Sequence, residues 1–432
     1  MLLNRMGLSV KQRFGLELQH SLRKTNEQLH PLRTLFWECT LRCNMSCRHC
    51  GSDCKMAPAV PDMPAADFLK VIDTITPHVD PHKVFIIFTG GEALLRPDLE
   101  EVGLELYRRE YPWGVVTNGF LLDEKRLQSL LASGMHSITV SLDGFEEQHN
   151  WIRRHPQSFE KATNAIRLLA QTKGILWDVV TCVNPRNYPH LKEFKEYLIS
   201  LGVPAWRLFS IFPMGRAAHD RELQLTDEQF RGLLEFIKAS RNNTRPRQPQ
   251  AAATPSNFAP LRSQAVSPPG PGREGKQNTP HSPSSGDAPA CSSPKLGEVA
   301  EGRRSVSVSY ACEGFLGDYE RQVRDHFFFC RSGIEVASIR CDGAISGCTS
   351  VRSNMDQGNI YQDDFWEVWE NRFQLMRDRR WAKKGQCKDC KVWRYCEGSG
   401  LHLYDNEGNL LTCHYHRTLT VEPPVQVQSS VG

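Results

Sequence analysis

Between residues 40 and 54 the chain reads TLRCNMSCRHCGSDC, which sets Cys43, Cys47 and Cys50 at C-x3-C-x2-C inside one short loop. Three thiols that close together can ligate three irons of a single cubane, and the pattern holds no cysteine for the fourth iron. An open coordination position is what a catalytic metal needs, by the logic that separates catalytic from structural zinc sites. Zinc is the competing reading of this spacing, with Cys39, Cys54 or His49 as a nearby fourth ligand. Otherwise Cys39 and Cys54 are ordinary thiols flanking the loop. The chain carries 15 cysteines in 432 residues. In a cytosol that keeps thiols reduced, such clusters mean metal or catalysis before they mean disulfides.

The loop follows the strand of the first of six β/α units. Apolar, β-rich runs over Thr34–Glu38, Lys83–Thr89, Trp113–Thr117, Ser137–Leu142, Leu176–Val183 and Ala205–Phe212 alternate with amphipathic stretches near 64–77, 97–110, 123–133, 158–171, 188–201 and 226–240. That alternation predicts parallel strands joined by crossover helices, an α/β fold of partial (β/α)6 barrel type. The polar or glycine-rich signature of each unit falls just after its strand: the cysteine loop, Gly90-Gly91-Glu92, Thr117-Asn118-Gly119, Asp143-Gly144, Asn184-Pro185 and Pro213-Met214-Gly215-Arg216. Parallel barrels build their active sites at the C-terminal strand ends, so six loops converge on one mouth.

Residues 242–305 break the pattern, holding 11 of the 26 prolines and one aromatic residue, Phe258. A segment of that composition cannot bury enough apolar surface to offset ordering, which predicts a disordered insertion with Cys291 as a lone thiol. The expected organisation is an amphipathic extension over 1–30, a barrel over 31–241, the insertion over 242–305, a small cysteine-rich domain over 306–418 and a flexible tail over 419–432. The extension is expected to pack on the first domain; a basic helix touching a membrane or partner is the alternative. A formal charge of +4 without a Lys/Arg block gives no nucleic-acid footprint. No run approaches the roughly 20 apolar residues of a membrane span, so a cytoplasmic protein is expected.

C-x3-C-x2-C at the end of the first strand of a partial barrel resembles the radical S-adenosylmethionine (SAM) superfamily, and the resemblance covers residues 34 to about 215. It implies a [4Fe–4S] cluster on Cys43, Cys47 and Cys50 whose open iron is chelated by SAM. Reductive cleavage of SAM then gives a 5′-deoxyadenosyl radical that takes a hydrogen atom from substrate. It further implies that His49 lies near adenine and that Gly90, Gly91 and Glu92 hold the methionine ammonium. Ser141 and Asp143 would contact the ribose or methionine moiety. HNWIRR resembles the HDxxRG pattern of the peptide-modifying branch and makes Arg153 a partner for the SAM carboxylate, although Asn150 and Arg154 depart from that pattern. Asn118 is a further candidate cofactor contact. Plain structural accounts stand beside several of these: a tight turn for Gly-Gly, a helix cap for Asp143, a common Asn-Gly turn for Asn118 and a solvated side chain for Arg216.

Cys330 and Cys348 fit C-x12-G-x4-C through Gly343, and Cys387, Cys390 and Cys396 continue as C-x2-C-x5-C with Cys413 beyond. This resembles the SPASM domain, which carries auxiliary iron–sulfur clusters; six of its seven cysteines are present and Gly400 stands at the seventh. The resemblance implies one cluster on Cys387, Cys390, Cys396 and Cys413. A second, incomplete one would use Cys330 and Cys348, with Cys312 as third ligand and Cys341 in reserve, unless the site is a structural remnant that serves folding.

The implied activity is that of a radical SAM/SPASM enzyme, with a peptide or protein substrate first and a tetrapyrrole or other small molecule as the alternative. A reducing donor such as flavodoxin or ferredoxin would be its electron source. Sulfatase maturases share the architecture but carry Asp directly after the cysteine equivalent to Cys348, where this chain has Thr349. A non-catalytic iron–sulfur carrier or sensor is the reading from another class, and would need no cofactor pocket. No catalytic residue is assigned from the sequence. Because loop-closure entropy grows only as the logarithm of length, shortening 242–305 to about ten residues should change stability by roughly a few kcal/mol at most, in the favourable direction. Urea unfolding checks this, and loss of folding or activity would make the segment a working part.

Overall fold

The computed structural model describes residues 9–242, 305–311, 314–351 and 355–419. Cys291, Cys312 and the bodies of the expected insertion and tail lie outside them. Six parallel strands, β1 (Thr34–Thr40), β2 (Phe85–Gly90), β3 (Trp113–Thr117), β4 (Met135–Ser141), β5 (Leu176–Val183) and β6 (Ala205–Ser210), lie side by side in chain order. β2 starts later than its apolar run because Asp80 caps a short turn over Pro81–Lys83. An extra strand then adds at each end: β7 (Ser307–Tyr310) runs parallel to β6, and β8 (Val336–Ile339) parallel to β1. β9 (Ala344–Ser346) and β10 (Gly358–Asn359) finish the ten-stranded sheet in antiparallel pairing. The six-stranded pattern thus becomes eight parallel strands, two of them drawn from the cysteine-rich C-terminal sequence.

Leu35, Trp37, Ile86, Phe88, Trp113, Ile138 and Trp206 belong to one continuous buried core with residues of the crossover helices. Trp37 stacks on Phe68 of the helix α2 (Ala65–Ile75), with ring centroids 4.2 Å apart. The other crossover helices are α3 (Leu99–Arg108), α4 (Glu124–Ala132), α5 (Glu146–Arg153), α6 (Ser158–Gln171), α7 (Leu191–Ser200) and α8 (Asp227–Asn242). Alternate strand residues face the barrel interior, where Arg207 is fixed by Asp178 and by Thr139 Oγ1 at 2.9 Å.

The N-terminal helix α1 (Val10–Leu29) opens on a capping box, Ser9 with Gln12, and packs on the C-terminal part of the chain, not on the first domain as expected. The reason is charge and space. Arg23 is buried between Glu27 and Glu397 at 2.9 and 2.8 Å, and Asn26 Nδ2 reaches Glu335 at 2.6 Å. At Gly15 a Cβ would stand 2.5 Å from the Phe327 ring. Val10, Phe14, Leu18 and Leu22 are left exposed on the opposite face. No helix among the described residues is long and apolar enough to cross a membrane. Glu397 directly follows Cys396, so α1 braces a cysteine turn of the C-terminal part. Arg23→Ala should leave Glu397 and Glu27 to the half-exposed Lys24 alone, at 2.9 and 2.8 Å, and cost on the order of 2 kcal/mol, read as a lowered Tm together with early proteolysis ahead of β1; an unchanged Tm would make the docking a surface contact.

Candidate active site and metal centres

The cysteine loop is held by backbone. A bridge between Arg42 and Lys55, with Cys43 N–H on Lys55 O at 3.0 Å, ties its two ends together. The exit of β2 presses on it from the side: Gly91 N–H donates to Thr40 O at 2.8 Å and Glu92 N–H to Arg42 O at 2.9 Å. A Cβ on Gly90 would stand 2.1 Å from Thr40 O, and one on Gly91 2.2 Å from Arg42 O. Gly90 also has φ +128°, a conformation open to glycine. The close approach that needs these glycines is therefore made by the cysteine loop itself.

Glu92 is buried and its carboxylate accepts from Thr117 Oγ1 at 2.6 Å, Leu94 N–H at 3.2 Å and Asn118 N–H at 2.7 Å. Burial raises its pKa, and these bonds oppose the rise. Three of the roughly four acceptor positions of a carboxylate are used, so Glu92 joins the second and third loops and keeps one position free. Asn118 Nδ2 donates to Asn44 Oδ1 at 2.8 Å, between Cys43 and Cys47. Both residues thus position the cysteine loop.

Arg216, left open between motif and solvated side chain, clamps that loop. Its Nε donates to Cys47 O at 2.7 Å, its Nη1 to Asp53 at 2.7 Å and Cys54 O at 3.1 Å, and its backbone N–H to Cys50 O at 3.0 Å. Gly215, at φ +57°, comes so close that a Cβ would lie 2.5 Å from Cys50 O. The PMGR turn is the sequence signal for this contact. Arg48, unremarked in the sequence, adds an ion pair to Asp220 at 2.7 Å and stacks over Trp151.

Cys43, Cys47, Cys50 and Cys54 form a small apolar group apart from the main core. Burial pushes Cys43 up to about 12 and raises Cys47, where the Arg153 charge works against it. Cys50 is lowered, first by the hydrogen bond from Cys54, and the same contact drives Cys54 up. Cys54 is therefore part of the loop's thiol group, whereas Cys39 points away and donates to Thr89 O at 3.2 Å.

Asp143 and Arg153 meet behind the loop. Asp143 is fully buried, accepts from Arg153 Nε at 2.6 Å and from Cys182 N–H at 2.8 Å, and does not cap α5, whose N-cap Phe145 offers no side-chain bond. Burial alone would raise this carboxyl, but the Arg153 charge wins and holds it at about 2. The stability it confers is complete above the ordinary carboxylate range near pH 4 and is lost as pH falls toward about 2. Arg153 Nη1 lies 3.9 Å from Cys47 Sγ, while Arg154 is an exposed, left-handed helix end. The arginine facing the thiols is Arg153. Ser141 is buried at the end of β4, two residues before Asp143.

His49 Nδ1 and Asn44 Nδ2 are buried without partners beside the thiols, as donors and acceptors awaiting a ligand would be. Burial holds His49 down at about 4. Among the described residues the one trio of donor atoms within 4.8 Å of one another is His49, Asp143 and Cys182. Thiolates on a single zinc sit about 4 Å apart, given Zn–S bonds near 2.3 Å. No three of the loop's thiols meet that spacing, which speaks against a single zinc ion. A cavity of about 150 Å³ opens beside the loop, bounded by Glu38, Gly51, Thr89, Gly90, Met214 and Thr349.

In the C-terminal part, Cys387, Cys390 and Cys413 all act on Cys396, which burial raises most strongly. These four form one group, fed by a turn at Gly385–Cys387 and a short helix at Trp393–Cys396. Cys330 and Cys348 interact in a second place and line one cavity. Cys341 is not with them: its thiol donates to Pro61 O at 3.1 Å, on the Cys39 side, which removes it as the reserve ligand.

Comparison with known proteins accords with this layout. The radical SAM superfamily model matches residues 37–198, and the SPASM model, an iron–sulfur cluster-binding domain, matches residues 330–391. The AdoMet-dependent heme synthase of Oleidesulfovibrio alaskensis is 25% identical over 374 residues, 85% of this chain and 82% of that protein. The PqqA peptide cyclase of Granulibacter bethesdensis is 23% identical over 220 residues, 51% of this chain and 57% of that protein. The structure of native anSMEcpe with bound AdoMet and Cp18Cys peptide superposes with a TM-score of 0.60 at 17% identity, covering 90% of this chain and 94% of that one, a likeness of fold. The chain belongs to the radical SAM superfamily, in its SPASM-containing branch. It is an enzyme that uses SAM and [4Fe–4S] clusters.

Gly91→Ala should push the cysteine loop off the β2 exit. The expected result is loss of about four irons per chain, one cubane, and of SAM cleavage, with the C-terminal iron retained. Full iron with full cleavage would show that the backbone contact is dispensable.

Proposed function

We propose that this enzyme modifies a tetrapyrrole, the reading set second from sequence, and not a peptide. The observation that carries it is coverage. The similarity to a heme synthase runs through 85% of the chain, including the C-terminal part, whereas similarity to a peptide cyclase spans 51%. Barrel chemistry is shared by both classes, so a match that continues into the C-terminal part is the more informative about substrate.

In this reading Cys43, Cys47 and Cys50 hold the barrel cluster, and the bound SAM supplies a 5′-deoxyadenosyl radical when the cluster is reduced. Beyond its bonds to Asp143 and to Cys47 Sγ, Arg153 keeps its Nη2 donors for the SAM carboxylate. Asp143 fixes that guanidinium. Gly90, Gly91 and the remaining acceptor position of Glu92 receive the SAM ammonium, His49 and Ser141 face the nucleoside, and Asn118 holds Asn44 in place. The clamp of Arg216 keeps Cys47 and Cys50 set before the metal arrives. Cys387, Cys390, Cys396 and Cys413 hold an auxiliary cluster, Cys330 and Cys348 contribute to a second, and a low-potential flavodoxin or ferredoxin supplies electrons.

The test is hydrogen transfer. Reconstituted enzyme is given SAM, a reductant and an iron tetrapyrrole deuterated on its peripheral side chains. Deuterium should appear in 5′-deoxyadenosine together with a SAM-dependent mass change in the tetrapyrrole. Cleavage of SAM that no tetrapyrrole accelerates, alongside deuterium transfer from a peptide, would reverse the assignment.

A further inference from the structure

A cavity of about 190 Å³ lies where the two ends of the parallel sheet approach each other. β1, β6, β7 and β8 all contribute to its wall, through Phe36, Arg207, Ser309 and Val336 among others. The opposite wall is C-terminal and brings Cys330, Cys348, His326 and His402 to the same space. Two sulfurs and two imidazoles are a metal donor set, assembled from three separate stretches of chain.

Size separates the possible occupants. Small-molecule pockets run to roughly 300–1,000 Å³, and a cavity of about 150 Å³ accommodates a body the size of benzene. The space suits a compact iron–sulfur core and is too small for a four-ring macrocycle. A single metal ion is excluded by spread, because no three of these four donors lie within 4.8 Å of one another.

The histidines are poised for the purpose. His326 Nε2 is buried with no partner. The His402 ring makes an edge contact with Phe212, 4.9 Å between centroids, and no hydrogen bond to it occurs among the described residues. His402 sits in the turn Leu401–Leu403, directly after Gly400. Arg207, Arg324 and Arg331 on the wall are each committed to a carboxylate, Asp178, Glu320 and Glu335. Arg33, also on the wall, carries a guanidinium that stays protonated and cannot ligate iron, so the imidazoles are the nitrogens in this cavity able to bind metal beside the two thiols.

We propose that this cavity seats an auxiliary iron–sulfur cluster with mixed ligation, sulfur from Cys330 and Cys348 and nitrogen from His402 and His326. The inference rests on the radical SAM/SPASM reading for the presence of auxiliary iron. Replacing thiolate by neutral imidazole removes negative charge and raises the reduction potential, as in Rieske centres. The cluster is therefore the more easily reduced of the two auxiliary sites. It lies beside the reaction space: Thr349 and Ser350, next in sequence to Cys348, line the cavity at the barrel mouth.

The experiment uses full-length, reconstituted protein in a Cys43→Ala/Cys47→Ala/Cys50→Ala background, without SAM, so that the barrel cluster contributes no signal. Pulsed EPR of the reduced protein should show strong nitrogen coupling that changes when histidine is labelled with ¹⁵N. Iron should exceed the roughly four atoms that the Cys387 group holds as one cubane. Adding His402→Gln and His326→Gln should remove the coupling and the excess iron while the second cluster's signal persists. Absence of histidine coupling in the unsubstituted cavity, an iron content of only about four, or stoichiometric zinc would each overturn the proposal, and none depends on whether the histidine variants fold. SAM cleavage by the wild type is measured in parallel. Its failure would strike the radical SAM reading and not the ligand assignment.

Discussion

The contact on which the site depends is bare backbone against bare backbone: the exit of β2 at Gly90–Gly91 lies on the exit of β1 at Thr40–Arg42. Hydrogen bonds of 2.8 and 2.9 Å join them, and any side chain at either glycine would occupy the space of a carbonyl oxygen. Everything further out is referred to that contact. Glu92 carries it to the third loop, Asn118 returns it to Asn44, and Arg216 closes the far side of the cysteine loop from the sixth. Thiols that must lose protons to bind iron are buried, which disfavours the thiolate, so a preset geometry and nearby cations are what make metal uptake favourable.

Charge is handled by the same economy. Arg153 is the cation 3.9 Å from Cys47 Sγ, and Asp143 both neutralises and aims it. One guanidinium so placed can steady thiolate, carboxylate and Asp143 together. That explains why the buried aspartate remains ionised in a position where burial alone would protonate it. On the C-terminal side, α1 repeats the device: Arg23 lies among carboxylates, one of which directly follows Cys396.

Much of the barrel could be read from the sequence because period and punctuation agree there: β-rich runs, helical stripes and a polar signature after each strand. α5 is not legible as a helix, since EEQHNWIR has few apolar positions and reads as a motif, not an element. β7 and β8 were missed because four-residue strands carry no period of their own and exist through pairing with β6 and β1. At the site, residue types were legible and their tasks less so. A glycine pair suggests close approach, but that the approaching group at Gly91 is Arg42 O is decided by tertiary packing. From sequence Arg216 stays open between motif and solvated side chain, and Cys341 stands as a spare ligand, because spacing does not say which way a side chain faces. The substrate class was not legible in motifs at all, since the barrel motifs serve peptides and tetrapyrroles alike.

The central claim is that an open iron on Cys43, Cys47 and Cys50 meets SAM beside Arg153 and the Gly90–Glu92 turn. ENDOR spectroscopy of the reduced protein with SAM labelled at its amino nitrogen and carboxylate oxygen tests this most directly. The account predicts hyperfine coupling of both labels to the cluster in the wild type, and weakening of the carboxylate coupling when Arg153 is replaced by Lys. A reduced cluster whose spectrum is indifferent to labelled SAM would contradict it.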